Sequence, residues 1–299
     1  MPREVPVSPL QLRLLKALHV YRLLTYDMMR RVGVGRDPGA LAGAARYLHA
    51  RGLVGRHEGV LVSRVTSLPL IYWLTPRGAG ALFQHDGTDA VGSERTFGDL
   101  HEVLHRLGIV DIHIALRAWA EAAGVELLQY VTDFEPGSRG RHKATKIDGP
   151  GLTFVPDALA WLRLPGESEA DLLVIELERG GERGDLTRFF SGSQNRGKLT
   201  FLRTVSAGCY IENALGTPAR PLARPRFLVV FKDDALREKA LARWNAARFE
   251  PNHDDWSWFF IKSLPEVAAD PGGGWHQPGD RAQRPLFRKL GQTLEPTPA

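Results

Sequence analysis

Three times within its first 76 residues the chain places a helix-capping side chain directly before a proline: Ser8-Pro9, Asp37-Pro38 and Thr75-Pro76. The capping oxygen accepts from the free N–H groups of a first helical turn. Proline at the next position loses no hydrogen bond there and already has a helical φ. Each pair therefore pins a helix start to one residue. After Ser8, the apolar residues Leu10, Leu14, Leu15 and Leu18 recur at helical spacing and form one stripe. Thr25 caps a second helix, Tyr26 to Arg31, which stops near Gly33 because glycine tolerates a left-handed exit. The third helix, from Pro38, carries Leu41, Ala44, Ala45 and Leu48 inward and Arg46, His49 and Arg51 outward, and Gly52 ends it. Two β-like runs follow, Leu53–Arg56 and Leu70–Leu74, with Arg64 between them, and Thr75-Pro76 opens a helix over Ala79–Phe83.

Helix, helix, helix, hairpin, helix is the order of a winged helix-turn-helix. The stretches ALAGAARYLHARGLVGR and IYWLTPRGAGAL resemble the recognition helix, wing and following helix of bacterial winged-helix regulators. The resemblance implies that the third helix enters the major groove of double-stranded DNA while the wing reaches phosphates. Charge agrees: residues 1–85 hold twelve Lys/Arg against four Asp/Glu, a net of +8, while the remainder sums to −3. The expected DNA contacts in this module are Arg36, Arg46, His49, Arg51, Arg56, Arg64 and Arg77. The third helix opens with Ala and Gly, which leaves few long side chains to read bases, so shape and phosphate recognition carry more weight. A winged helix used for protein contact is the alternative.

Composition narrows the remaining classes. At 299 residues the chain is long enough for two domains. Its single cysteine, Cys209, excludes an internal disulfide and a Cys-based zinc cluster, and its apolar neighbourhood suits a small buried hydrophobe. No apolar run is long enough to span a bilayer. The opening Met1-Pro2-Arg3-Glu4 has no apolar signal core, so a cytoplasmic protein is expected, with no membrane partner.

Residues 86–97 are polar and read as a linker. A long helix is expected over Gly98–Ala123. It contains His101-Glu102-Val103-Leu104-His105, a letter-for-letter HExxH zinc signature. With no third ligand at a recognised spacing, the favoured reading is a helix with His on its polar face. Beyond Gly124 strands are expected at Val125–Val131, Leu152–Leu164, Asp171–Glu178, Arg226–Phe231 and Trp256–Ile261, with helices at 185–205 and 233–248. A basic excursion between the first two strands carries Arg141 and Lys143, placed to clamp a phosphate backbone.

Pro156-Asp157 on the second of these strands and Glu176-Leu177-Glu178 on the third carry the chemistry. Residues 176 and 178 share a strand face, and a hairpin returns them beside Asp157. Three carboxylates held together need a cation, and oxygen-only ligands suit Mg2+ or Mn2+. The pattern "VPDALAWL" with "LLVIELER" resembles the PD-(D/E)XK nuclease superfamily. That resemblance implies catalytic roles for Asp157, Glu176 and Glu178 as metal ligands. Glu178 stands where a lysine is usual, Lys198 is the candidate for a migrated lysine, and Glu102 matches an acid of the first helix. The order of LTPRGAG, HEVLHRLGIVDIHIAL, PDA and IELERG is similar to the replication-relaxation family of plasmids and mobile elements.

The chain is thus expected to be α/β (α+β). The domains are a winged helix over 1–85, the linker over 86–97, a PD-(D/E)XK-like mixed-sheet domain over 98–264 and a largely irregular tail over 265–299 with a short docked piece at Leu286–Leu290. Two functions fit. One is a DNA-binding protein of plasmid or mobile-element replication that nicks DNA with magnesium. The other is a non-catalytic regulator or replication accessory factor on a degenerate nuclease fold. A homodimer is compatible with both.

Overall fold

The computed structural model describes residues 6–57, 69–93, 100–135, 145–149, 152–180, 210–211, 226–246, 259–280 and 282–287. The chain is mixed α/β and divides into two compact units, Met1–Ile114 and Ala115–Ala299.

In the first unit, helix α1 (Pro9–Tyr21) starts where expected: the Ser8 hydroxyl accepts from Gln11 N–H, and the Gln11 side chain answers the Ser8 N–H. A two-residue strand β1 (Leu23–Leu24) follows, then α2 (Tyr26–Arg31) capped by Thr25 and α3 (Pro38–Ala50) capped by Asp37. Strands β2 (Val54–His57) and β3 (Ile71–Leu74) and helix α4 (Pro76–Asp86) complete the module. The strands form an antiparallel sheet in the order β1-β3-β2, so β1, which periodicity did not predict, extends the hairpin. Leu14, Leu15, Leu18, Leu41, Leu48, Ile71 and Tyr72 are fully buried and form the core. Burying each leucine stabilises this module by about 1.5–3 kcal/mol.

Helix α5 (Leu100–Ala122) matches its expected span, but the division between the units falls inside it. Its first part belongs to the N-terminal unit. Asp111 pairs with Arg31 at 2.5 Å, and the buried His113 packs on Tyr21 with ring centroids 4.7 Å apart. The residues after α4 also lie along this unit. Lys16 and Thr88 hold the Asp86 carboxyl down to about 2, and the Ser93 N–H bonds the Leu74 carbonyl at 2.9 Å.

The second unit is built on a five-stranded mixed sheet. Strands β4 (Glu126–Thr132), β7 (Ala158–Arg163) and β8 (Asp171–Glu178) are antiparallel neighbours. Strand β10 (Arg226–Phe231) runs parallel to β8, and β11 (Phe259–Ser263) parallel to β10. The segment expected as one strand over Leu152–Leu164 is two. Strand β6 (Leu152–Phe154) joins β5 (Ile147–Gly149) and β9 (Tyr210–Ile211) in a separate sheet, and β7 begins after Pro156. Proline has no N–H for a ladder, which accounts for the break.

Helix α6 (Asp234–Ala246) packs on β10 and β11 through Leu236, Ala240, Leu241 and Trp244. The tail is more ordered than its composition suggests. Helix α7 (Leu264–Ala269) is capped by Ser263, Trp275 is wholly buried beside Phe260, and Leu286 and Phe287 are docked. The buried Arg237 of α6 forms an ion pair with Glu266 of α7 and bonds Glu238 at 2.5 Å. Among the described residues no helix is long and apolar enough to cross a membrane. The expected helix over 185–205 lies outside the described residues.

Two measurements check this packing. A Cβ on Gly78 would sit 2.0 Å from the Leu53 carbonyl oxygen, whereas one on Gly80 would meet nothing within 4 Å. In thermal unfolding, Gly78→Ala is expected to destabilise by about 1–3 kcal/mol, and Gly80→Ala to stabilise by about 0.5–1 kcal/mol. For Glu266, burial opposes ionisation, but bonds from Ser263 and the Arg237 charge outweigh it, so the carboxyl titrates below its ordinary 4.5 in the folded protein. A depressed carboxylate contributes stability that is present above its unfolded value and lost as pH falls through the folded one. Glu266→Gln is therefore expected to lower stability near neutrality and flatten its loss in acid, read from urea midpoints across pH.

Candidate functional site

The first candidate surface is the outer face of α3. Burial of Leu41, Ala44, Ala45 and Leu48 turns Gly39, Gly43, Arg46 and Ala50 to the opposite side of the helix. Arg46 is exposed there, as are Arg36 before the cap and Arg51 at the last turn. Arg51 lies over the Tyr47 ring at 5.2 Å. Arg77, at the start of α4, lies beside the turn that ends α3: a Cβ on Gly52 would be 3.9 Å from its Nη1. Four of the seven expected DNA contacts in this module are thus exposed cations on or next to α3.

Two others are engaged within the fold. His49 is half-buried and its Nδ1 lies 3.1 Å from the Val54 carbonyl oxygen. Arg56 is half-buried and hydrogen-bonds the Tyr72 phenol, whose hydroxyl lies 2.6 Å from that of Tyr26. Burial, then the bond to Tyr26, push the Tyr72 phenol well above its ordinary range, against the smaller effect of Arg56. Arg64, Arg141 and Lys143 lie outside the described residues.

The second candidate is the acidic group at one end of β7 and β8. The ladder pairs Ala158 with Ile175, and one further step sets Asp157 across from Glu176. Sequence and register therefore agree that these two are neighbours. Their surroundings differ from a metal centre, however. The Pro156 carbonyl accepts from the Thr145 hydroxyl at 2.6 Å, and proline donates nothing, so the ladder ends here. The Asp157 Oδ2 then accepts the Leu177 N–H at 2.7 Å, in the place a strand carbonyl would fill. Glu178 turns one oxygen to the Gly180 N–H at 2.8 Å. Glu176 is buried among the apolar residues of β8.

Among the described residues no three His, Cys, Asp or Glu side chains are grouped to hold a metal ion. The three acids are not gathered into the set that the Mg2+ or Mn2+ centre implied by the nuclease resemblance needs, and Asp157 and Glu178 each give one oxygen to a backbone N–H. Glu102 forms an i,i+4 ion pair with Arg106 on α5, and Lys198 lies outside the described residues. The HExxH histidines, His101 and His105, likewise belong to no metal-holding group among the described residues.

Tyr130 and Glu135 were missed in the sequence. Burial first, then the charges of Asp157 and Glu135, raise the Tyr130 phenol well above its ordinary range. Glu135 accepts from the Thr132 N–H at 3.0 Å and hydroxyl at 3.2 Å. The signal for Tyr130 was its place on a strand next to β7; nothing local marks Glu135.

No protein-family model, curated protein or solved structure matches this chain. The resemblance to the replication-relaxation family stands on its residues alone.

If Asp157 serves the sheet, Asp157→Ala removes the acceptor of a partly buried N–H and is expected to cost about 1–2 kcal/mol in urea unfolding. A gain in stability would instead mark carboxylates held together against their repulsion for another purpose.

Proposed function

We propose that this chain binds double-stranded DNA through its N-terminal unit, acting as a winged helix with α3 in the major groove. The observation that carries the reading is the exposed set Arg36, Arg46, Arg51 and Arg77 around a helix whose apolar stripe is fully committed to the core. Helix α3 has 13 residues, a length of about 20 Å, against a major groove about 12 Å wide. Arg36 and Arg51 at its two ends then reach the phosphates on either side of the groove. Asp37, the acid at the end that carries Arg36, is spent on the Gly39 and Ala40 N–H groups.

For the second unit we propose a PD-(D/E)XK-like scaffold without metal-dependent cleavage, which makes the chain a regulator or replication accessory factor. The engagement of Asp157 and Glu178 by backbone N–H groups favours this over nicking. The resemblance to the replication-relaxation family gives plasmid or mobile-element replication as the setting.

With supercoiled plasmid and Mg2+, the expected result is a mobility shift without nicking. Nicking abolished by Asp157→Ala would establish the enzyme instead. Affinity is expected to fall with salt, and Arg36→Ala, Arg51→Ala or Arg77→Ala should each make the log–log salt slope shallower by about 1. A slope unchanged by all three substitutions would remove α3 as the phosphate-facing surface.

A further inference from the structure

We propose that Arg46 alone on α3 reads base identity, that it reads a guanine, and that the rest of the helix contributes phosphate and shape recognition. This rests on the DNA-binding reading above and goes beyond it by assigning specificity to one side chain.

The outward stripe of α3 is Gly39, Gly43, Arg46 and Ala50. Neither glycine has a side chain, and Ala50 ends at its Cβ. A Cβ on Gly43 would meet nothing within 4 Å, so the space around it is open toward a ligand. The longer side chains flanking the stripe are occupied: His49 by the Val54 carbonyl, Tyr47 by Arg51 above its ring and by the Pro6 carbonyl at 3.4 Å. Arg46 remains, exposed and directly opposite the buried Leu41, Ala44, Ala45 and Leu48.

A groove-bound helix carrying one long side chain among Gly and Ala can approach the base edges closely. Guanidinium presents two parallel donors, which match the O6 and N7 acceptors of guanine. No other base offers two acceptors in that geometry on its major-groove edge, so a single arginine selects guanine. Gly39, Gly43 and Ala50 have no polar side-chain atom with which to discriminate the neighbouring positions.

The full-length protein is tested against a library of randomised duplexes, sequencing what it retains, and affinities are then measured by anisotropy for an enriched duplex and for a scrambled one. Wild type is expected to enrich a guanine at a fixed position. Arg46→Ala should lose that preference and cut discrimination against substitution of the guanine by about ten-fold or more. Arg46→Gln should move the preference at that position to adenine, whose N6 and N7 suit the amide. Arg51→Ala should weaken all duplexes alike. If Arg46→Ala enriches the same guanine as wild type, or wild type enriches no guanine, the assignment to Arg46 is overturned while DNA binding stands. If wild type retains no duplex at all, the DNA-binding reading itself falls.

Discussion

The burial of one apolar stripe on α3 against α1, α2 and β2 decides what the N-terminal unit can offer a partner. Leu41 and Leu48 are fully buried, and rotating the helix to present another face would expose both, at about 1.5–3 kcal/mol each. The Asp37 carboxylate fixes the helix start through the Gly39 and Ala40 N–H groups, so the helix cannot slide along its own sequence either. With rotation and start both set, the position of Arg46 on the outer face follows from the core rather than from any ligand.

In the second unit the equivalent constraint is the ladder around β8. This strand is buried from Leu172 to Leu177 and pairs on both sides, antiparallel to β7 and parallel to β10. Its N–H groups must all be satisfied. Where Pro156 interrupts the neighbouring strand, a carboxylate takes over the missing acceptor role for Leu177. The same Pro-Asp dipeptide that resembles a nuclease motif is thus also a solution to a backbone problem, and Asp157 is drawn to the β8 backbone by it. Tyr130, whose phenol is raised above its ordinary range by burial and then by the charges of Asp157 and Glu135, stays neutral beside them.

Much of the first unit was legible because its signals are local. Capping residues, prolines and helical periodicity gave the starts of α1, α2 and α3, the cap of α4 and the inward residues of α3 from sequence neighbours alone, while α4 begins three residues before the expected Ala79. The strands β8 and β10 read equally well, being short apolar runs between turns. Features set by distant partners did not. Strand β1 exists because Leu23 and Leu24 pair with Trp73 and Tyr72, about fifty residues away. The docking of α5 depends on Arg31 meeting Asp111 and Tyr21 meeting the buried His113. Strand alternation and the ladder register both set Asp157 across from Glu176, yet alternation says nothing about a side chain that bends into the backbone at a strand end.

The engagement of Arg56 shifts the balance of the proposed interface. In the proposed winged helix a wing would supply phosphate contacts, but the arginine of β2 is drawn to Tyr72 of β3, whose hydroxyl meets that of the half-buried Tyr26 of α2. Releasing it toward a phosphate would remove the cation that eases the Tyr72 hydroxyl, so the sheet and the DNA compete for the same side chain. Arg36, Arg46, Arg51 and Arg77 face no such competition from acids within the described part of their unit. Binding through α3 therefore requires no rearrangement of the core, whereas binding through Arg56 does. On energetic grounds the proposed DNA binding falls to the exposed face of α3 rather than to β2.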